Sequence, residues 1–213
     1  MSATHLNQLV CACLLTACLS ANAETPVFVA ANVLRMVTNR EKEWTAPRTT
    51  LALSAGQASD CASYARLRAS GIVDDGSNER VKSEYLICDV LIQLGPTPEA
   101  KALPVDGYGV ALASRLDLRS FPSSLGPMVD EERYTLARLF EGQVRTESDG
   151  AAVKTPDMVF SLTIVAVGDV DHSGKPDWIV WVSDEVVAGT YRGYETLLIK
   201  DPAPDGPLRA QSL

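Results

Sequence analysis

An α+β chain is predicted, helices in the amino-terminal and middle parts and an antiparallel β-meander at the end, on three observations. Glu79 to Leu94 places Val81, Tyr85, Cys88 and Ile92 at i, i+4, i+7 and i+11, the spacing of one helix face. From Met158 the pattern changes to β-branched runs, Met158 to Val167, Trp178 to Val182 and Tyr194 to Ile199, separated by polar turns. Between the halves Glu141 to Asp157 is polar and glycine-containing, and reads as a connection. Helices followed by consecutive strands define the α+β class.

The amino terminus reads as an export signal. Residues 1–23 hold no Lys, Arg, Asp or Glu, and Leu9 to Leu19 form an apolar run too short to span a bilayer. Ala21-Asn22-Ala23 offers the small residues that a signal peptidase reads, so cleavage after Ala23 is expected. Leu15-Thr16-Ala17-Cys18 also resembles a bacterial lipobox, whose cysteine becomes a lipidated first residue. The first reading gives a periplasmic or secreted protein that begins at Glu24. The second gives one tethered to a bacterial membrane through Cys18, and no later run is long enough for a transmembrane helix.

Removal of an uncharged leader leaves the full net charge of −8 on about 190 residues, enough for a single domain with its own core. An acidic chain without a Lys/Arg cluster is excluded as a nucleic-acid binder, because phosphate neutralisation dominates that affinity. Two cysteines remain, Cys61 and Cys88. In an oxidising compartment such a pair forms a disulfide, which would contribute about 3 kcal/mol through a loop of roughly 27 residues. The alternative is two buried thiols.

Along the mature chain, Glu24 to Leu53 reads as an extended lead-in, in which Val33, Leu34, Met36 and Val37 fit a strand or a short helix equally. Trp44 reads as half-buried. Gly71 to Asn78 is turn-rich, and Ser77 or Asn78 would cap the helix of Glu79 to Leu94, which Gly95-Pro96 stops. On that helix Lys82, Asp89 and Gln93 fall on a second, polar face. Gly95 to Pro104, with three prolines, reads as a linker. Gly109 to Leu118 is slightly better as helix than as strand, with Val110, Ala113 and Leu116 in helical spacing. Val129 to Phe140 is a further helix, capped by Asp130 and burying Tyr134, Leu136, Ala137 and Phe140. The Pro/Gly-rich tail from Asp201 reads as frayed.

Between the first two predicted strands lies Asp169-Val170-Asp171-His172-Ser173-Gly174-Lys175-Pro176-Asp177. Carboxylates at loop positions one, three and nine, a hydroxyl at five and a glycine at six gather oxygens around one point, as a hard cation such as Ca²⁺ requires. Strand, Gly-Asp-x-Asp-x-x-Gly-x-x-Asp, strand resembles the calcium loop of FG-GAP and VCBS repeats over roughly twenty residues. That resemblance implies side-chain oxygens from Asp169, Asp171, Ser173 and Asp177 and a backbone carbonyl from Lys175. The family usually has glycine where His172 stands and aspartate where Ser173 stands, so one ligand charge is missing. Position twelve is Val180 and not the glutamate of an EF-hand. Binding is therefore expected to be weak, at about 10⁻⁴ to 10⁻³ M. A single copy does not make a propeller.

No catalytic constellation stands out. After export His172 is the only histidine, and no nucleophile elbow, P-loop or dinucleotide fingerprint occurs. Asp184 and Glu185 could form a hydrolase pair but read as solvated turn residues with Ser183. Trp178, Trp181, Tyr191 and Tyr194 could line a groove for a protein or glycan partner. The two tryptophans should lie on opposite faces of their strand, one of them exposed. The expected function is a non-enzymatic envelope or secreted protein whose calcium loop supports a binding surface. The alternatives are a periplasmic inhibitor or immunity protein and a carboxylate-based hydrolase.

Overall fold

The computed structural model describes residues 26–96 and 99–213. The predicted leader, with Cys18 and the cleavage position after Ala23, lies outside the described residues. In chain order the strands are β1 (Val27–Val29), β2 (Leu51–Leu53), β3 (Gly56–Ala58), β4 (Ala100–Ala102), β5 (Arg145–Thr146), β6 (Gly150–Lys154), β7 (Met158–Gly168), β8 (Asp177–Val186), β9 (Arg192–Ile199) and β10 (Gln211–Ser212). The helices are α1 (Ala31–Thr38), α2 (Arg40–Trp44), α3 (Cys61–Leu67), α4 (Gly76–Lys82), α5 (Leu86–Leu94), α6 (Tyr108–Arg115) and α7 (Leu136–Leu139).

The α+β prediction holds, and the meander β7-β8-β9 is its spine. The main sheet runs β10-β9-β8-β7-β1-β4, all antiparallel except β1 against β4. At 11 residues β7 is long enough to take β6 and β1 one after the other along a single edge. Strand alternation sends Phe160, Leu162, Ile164, Val180, Val182, Leu197 and Ile199 to one face, where they pack on α6, Leu136 and Phe140. Val165, Ala166, Ile179 and Leu198 go to the other, against α1, α3 and α5. A bulge at Val165 restores the register between Ile164 and Ala166, so both faces stay apolar along β7.

Cys61 and Cys88, both fully buried, form a disulfide that ties α3 to α5 with a Cα–Cα distance of 5.0 Å. The Asp60 carboxylate and Ser63 close a capping box at the start of α3. Helix α6 comes unusually close to the sheet: a Cβ on Gly109 would sit 2.1 Å from the Gly150 carbonyl oxygen. That contact requires glycine through lack of space and not through backbone conformation. Among the described residues no helix is long and apolar enough to cross a membrane.

Several local expectations are corrected. The lead-in is extended only at its two ends, β1 and β2, because Val33 and Val37, four apart, bury together as α1 and α2 follows it. Trp44 is half-buried as expected, beneath the Arg40 guanidinium. The predicted helix of Glu79 to Leu94 starts earlier, at Gly76, and passes through one tight turn at Ser83–Tyr85. Its cap is Asp75, which accepts from the amides of Ser77 and Asn78, while the buried Asn78 side chain bonds Ala52 of β2 and the Val73 carbonyl. Asp89, expected on a polar face, is 2% exposed and accepts from the Tyr64 hydroxyl. On α6 Val110 is exposed, and Tyr108, Gly109, Leu112 and Ala113 are buried.

The helix expected over Val129 to Phe140 shrinks to α7, capped by Thr135. Asp130 does bond the amides of Glu132 and Arg133, but the Tyr134 carbonyl accepts from the Leu118 amide and holds the chain extended. The expected linker contains β4, and the expected connection contains β5 and β6; β4 and β6 are short and alanine-rich and β5 is only two residues long, so they carry little β signal. Nor is the tail frayed. Leu208 and Ala210 are buried, and β10 pairs with Leu197 and Leu198 of β9.

Candidate functional site

The β7–β8 loop brings three of the predicted ligands together. Carboxylate oxygens of Asp169, Asp171 and Asp177 lie within 4.8 Å of one another. Asp177, at the first position of β8, is fully buried and accepts from the Val170 amide at 3.1 Å and the Asp201 amide at 3.0 Å. Asp169 accepts from the Gly174 amide through Oδ2, and its Oδ1 is shielded from solvent with no hydrogen-bond partner. Asp171 accepts from the Ser173 amide and from Lys200 Nζ at 3.0 Å. The Lys200 hydrogen bond, with help from Ser173, holds the Asp171 carboxyl below the usual range, and Asp171 in turn raises Lys200.

The Ser173 hydroxyl is turned toward Asp201, donating to Oδ1 at 3.1 Å, and the Lys175 side chain pairs with Asp201 at 3.4 Å. His172 is exposed and adopts φ 60°, the left-handed conformation that glycine takes most readily. Lys200 and Asp201 belong to this site and were missed from the sequence. The pairing of Trp178 with Ile199 is what sets them beside Asp177, and that register is not written in the loop itself.

The predicted binding aromatics do not form one groove. Trp178 and Trp181 do lie on opposite faces, but neither is exposed. Trp178 packs in the α6 core with Tyr108 edge-on at 5.3 Å, and Trp181 joins the core on the side of α5. Tyr191 and Tyr194 instead stand at the far end of the hairpin, around a hollow of about 490 Å³.

That end also holds Asp184. Ser183, Asp184 and Glu185 are not a turn, because β8 continues to Val186 in register with β9. Asp184 is 3% exposed and accepts from the Ser124 amide at 2.7 Å, the Ser124 hydroxyl at 2.6 Å and the Tyr191 hydroxyl at 3.3 Å. These bonds fasten the 122–124 loop and Tyr191 to the strand. Burial, then the neighbouring Asp184, pushes the Tyr191 hydroxyl up to about 12. Glu185 faces the other way and is engaged by Tyr194, Ser183 and Arg192. Asp184 and Glu185, adjacent in one strand, therefore point to opposite faces and do not make a pair about one bond.

No family model, no curated protein and no solved structure matches this chain. The site's chemistry thus stands on its own residues.

Proposed function

We propose that this chain is an exported, non-enzymatic binding protein in which a calcium ion held by the β7–β8 loop fixes the β8–β9 hairpin. The observation that carries this reading is the convergence of Asp169, Asp171 and Asp177, with one Asp169 oxygen out of solvent and unpartnered. Such an oxygen is costly to leave unmatched, and a hard cation would satisfy it together with its neighbours. Asp169, Asp171, Ser173 and Asp177 would supply side-chain oxygens and Lys175 a carbonyl, in keeping with the FG-GAP-like spacing. The binding surface belongs to the opposite end of the hairpin, near Tyr191 and Tyr194. A hydrolase is disfavoured because both oxygens of Asp184 are taken by donors.

Thermal melts in EDTA and in about 10 mM calcium, for the parent and for Asp171→Ala, test the reading. At a dissociation constant of about 0.1–1 mM, calcium should stabilise the fold by about 1.5–3 kcal/mol, a rise of about 3–10 °C. The variant should show no rise. Identical parent melts in the two buffers would reduce the loop to an ordinary acidic turn.

A further inference from the structure

The hollow at the far end of the hairpin has a floor, a rim and a surplus of charge. Val182 and Val186, on the same face of β8 as Asp184, contribute apolar wall, and the Tyr191 ring stands at the edge, 37% exposed. Its volume falls within the range of small-molecule sites. Three carboxylates border it, Asp184, Glu79 and Glu195, and all three act on the Tyr191 hydroxyl.

The two cations of the wall are already engaged. Lys82 Nζ bonds Glu195 at 2.9 Å, and Arg192 donates to the Val186 carbonyl at 2.6 Å and pairs with Glu185 at 3.3 Å. Among the described residues Glu79 takes part in no ion pair. An anion would therefore meet uncompensated negative charge, whereas a cation with a short apolar body would meet carboxylates, an aromatic face and aliphatic floor together.

We propose that this hollow binds an alkylammonium group, the chemistry shared by polyamines and lysine side chains. Glu79 supplies the free charge, Asp184 fixes Tyr191 as a rigid wall, and Val182 and Val186 receive the methylene chain. The inference rests on reading the chain as a binding protein, and not on calcium at the loop.

The test is amide chemical-shift titration of the ¹⁵N-labelled protein in calcium, with spermidine, a capped trilysine peptide and neutral 1,6-hexanediol as probes. Saturable shifts at Ser124, Gly193 and Tyr194 with a charged probe, and none with hexanediol, are expected. Response to spermidine alone would assign a free amine, and response to trilysine alone a basic protein segment. Glu79→Gln, at a half-exposed helical position where folding should be unaffected, should weaken binding about three- to fivefold, and Tyr191→Leu at least as much. Shifts spread over the acidic surface, shifts confined to residues 169–177, or equal shifts with hexanediol would overturn the inference. Absent shifts beside an intact calcium-dependent melt would sink this inference alone. Chemical conversion of the spermidine would instead sink the binding-protein reading.

Discussion

The two ends of β8 each bury an aspartate, and the contrast between them separates a local site from a long-range one. Asp177 takes its two amide donors from Val170 and Asp201, at the loop and at the end of the adjoining strand. It gathers two further carboxylates from within eight residues of chain. Asp184 takes its donors from Ser124, sixty residues earlier, and from Tyr191 across the hairpin turn. Seven residue steps along the strand set the two about 23 Å apart, beyond direct electrostatic coupling in physiological salt. One end draws three carboxylates together; at the other, Asp184 spreads its own charge over hydroxyl and amide donors and acts as a clasp.

The strongest way to break this contrast is to remove each aspartate in turn. Asp184→Ala would leave the Ser124 amide and hydroxyl and the Tyr191 hydroxyl without their acceptor, at a cost of about 3–4 kcal/mol. Its midpoint should fall by about 6–15 °C, and the calcium-induced rise should survive. Asp177→Ala should lower the midpoint in EDTA as well, through the stranded Val170 and Asp201 amides, and should also abolish the rise. Loss of the calcium response in Asp184→Ala would mean that the two ends are coupled through the strand.

A third buried aspartate sharpens the comparison, since at Asp89 burial outweighs the partners. It is 2% exposed, has the Thr196 hydroxyl beside it, accepts from Tyr64 at 3.0 Å, and sees Arg68 at 3.6 Å and Lys82 more remotely. Burial pushes its carboxyl up from an ordinary 3.8 to about 6, against the pull of these donors and cations. The native state therefore holds a proton that the unfolded chain has released. This contribution to stability is complete below about pH 4 and is lost as pH rises through about 6, a change of about 3 kcal/mol. Urea melts of the parent and Asp89→Asn between pH 4 and pH 7 should show the parent losing about that much relative to the variant. A constant difference across the range would show that Asp89 is as well solvated as Asp184 is well bonded.

What the sequence disclosed follows the same division. The acidic loop, the three strands around it and the Cys61–Cys88 pair are legible because spacing or residue type within a short window carries them. Asp184 and Asp89 were misplaced on surfaces because nothing near Asp184 names Ser124, and nothing near Asp89 names Tyr64. Strands β4 and β6 escaped for a related reason: Ala100-Lys101-Ala102 and Gly150-Ala151-Ala152 are strands because β1 and β7 offer them an edge, and their own propensity is low. The tail was read by its prolines and glycines, yet Leu208 supplies the buried contact that docks it. The tryptophans show the converse, for parity alone placed them on opposite faces, while their burial depended on α6 and α5.

The smallest effect concerns the residue that the loop borrows from just beyond β9. Lys200 Nζ sits 3.0 Å from Asp171, so in the absence of metal an ammonium neutralises one of the three converging carboxylates. An incoming calcium ion must compete with that ammonium for the same oxygen. The pair is solvent-exposed and screened, so its worth is modest, and Lys200→Met should leave the midpoint in EDTA nearly unchanged. The calcium concentration needed for half of the thermal shift should fall by about two- to fivefold, because the competitor is gone while the alkyl chain stays. Weaker binding in Lys200→Met would reverse the argument: the lysine would then be holding Asp171 in position for the metal, and the loop would depend on the end of β9 for its shape.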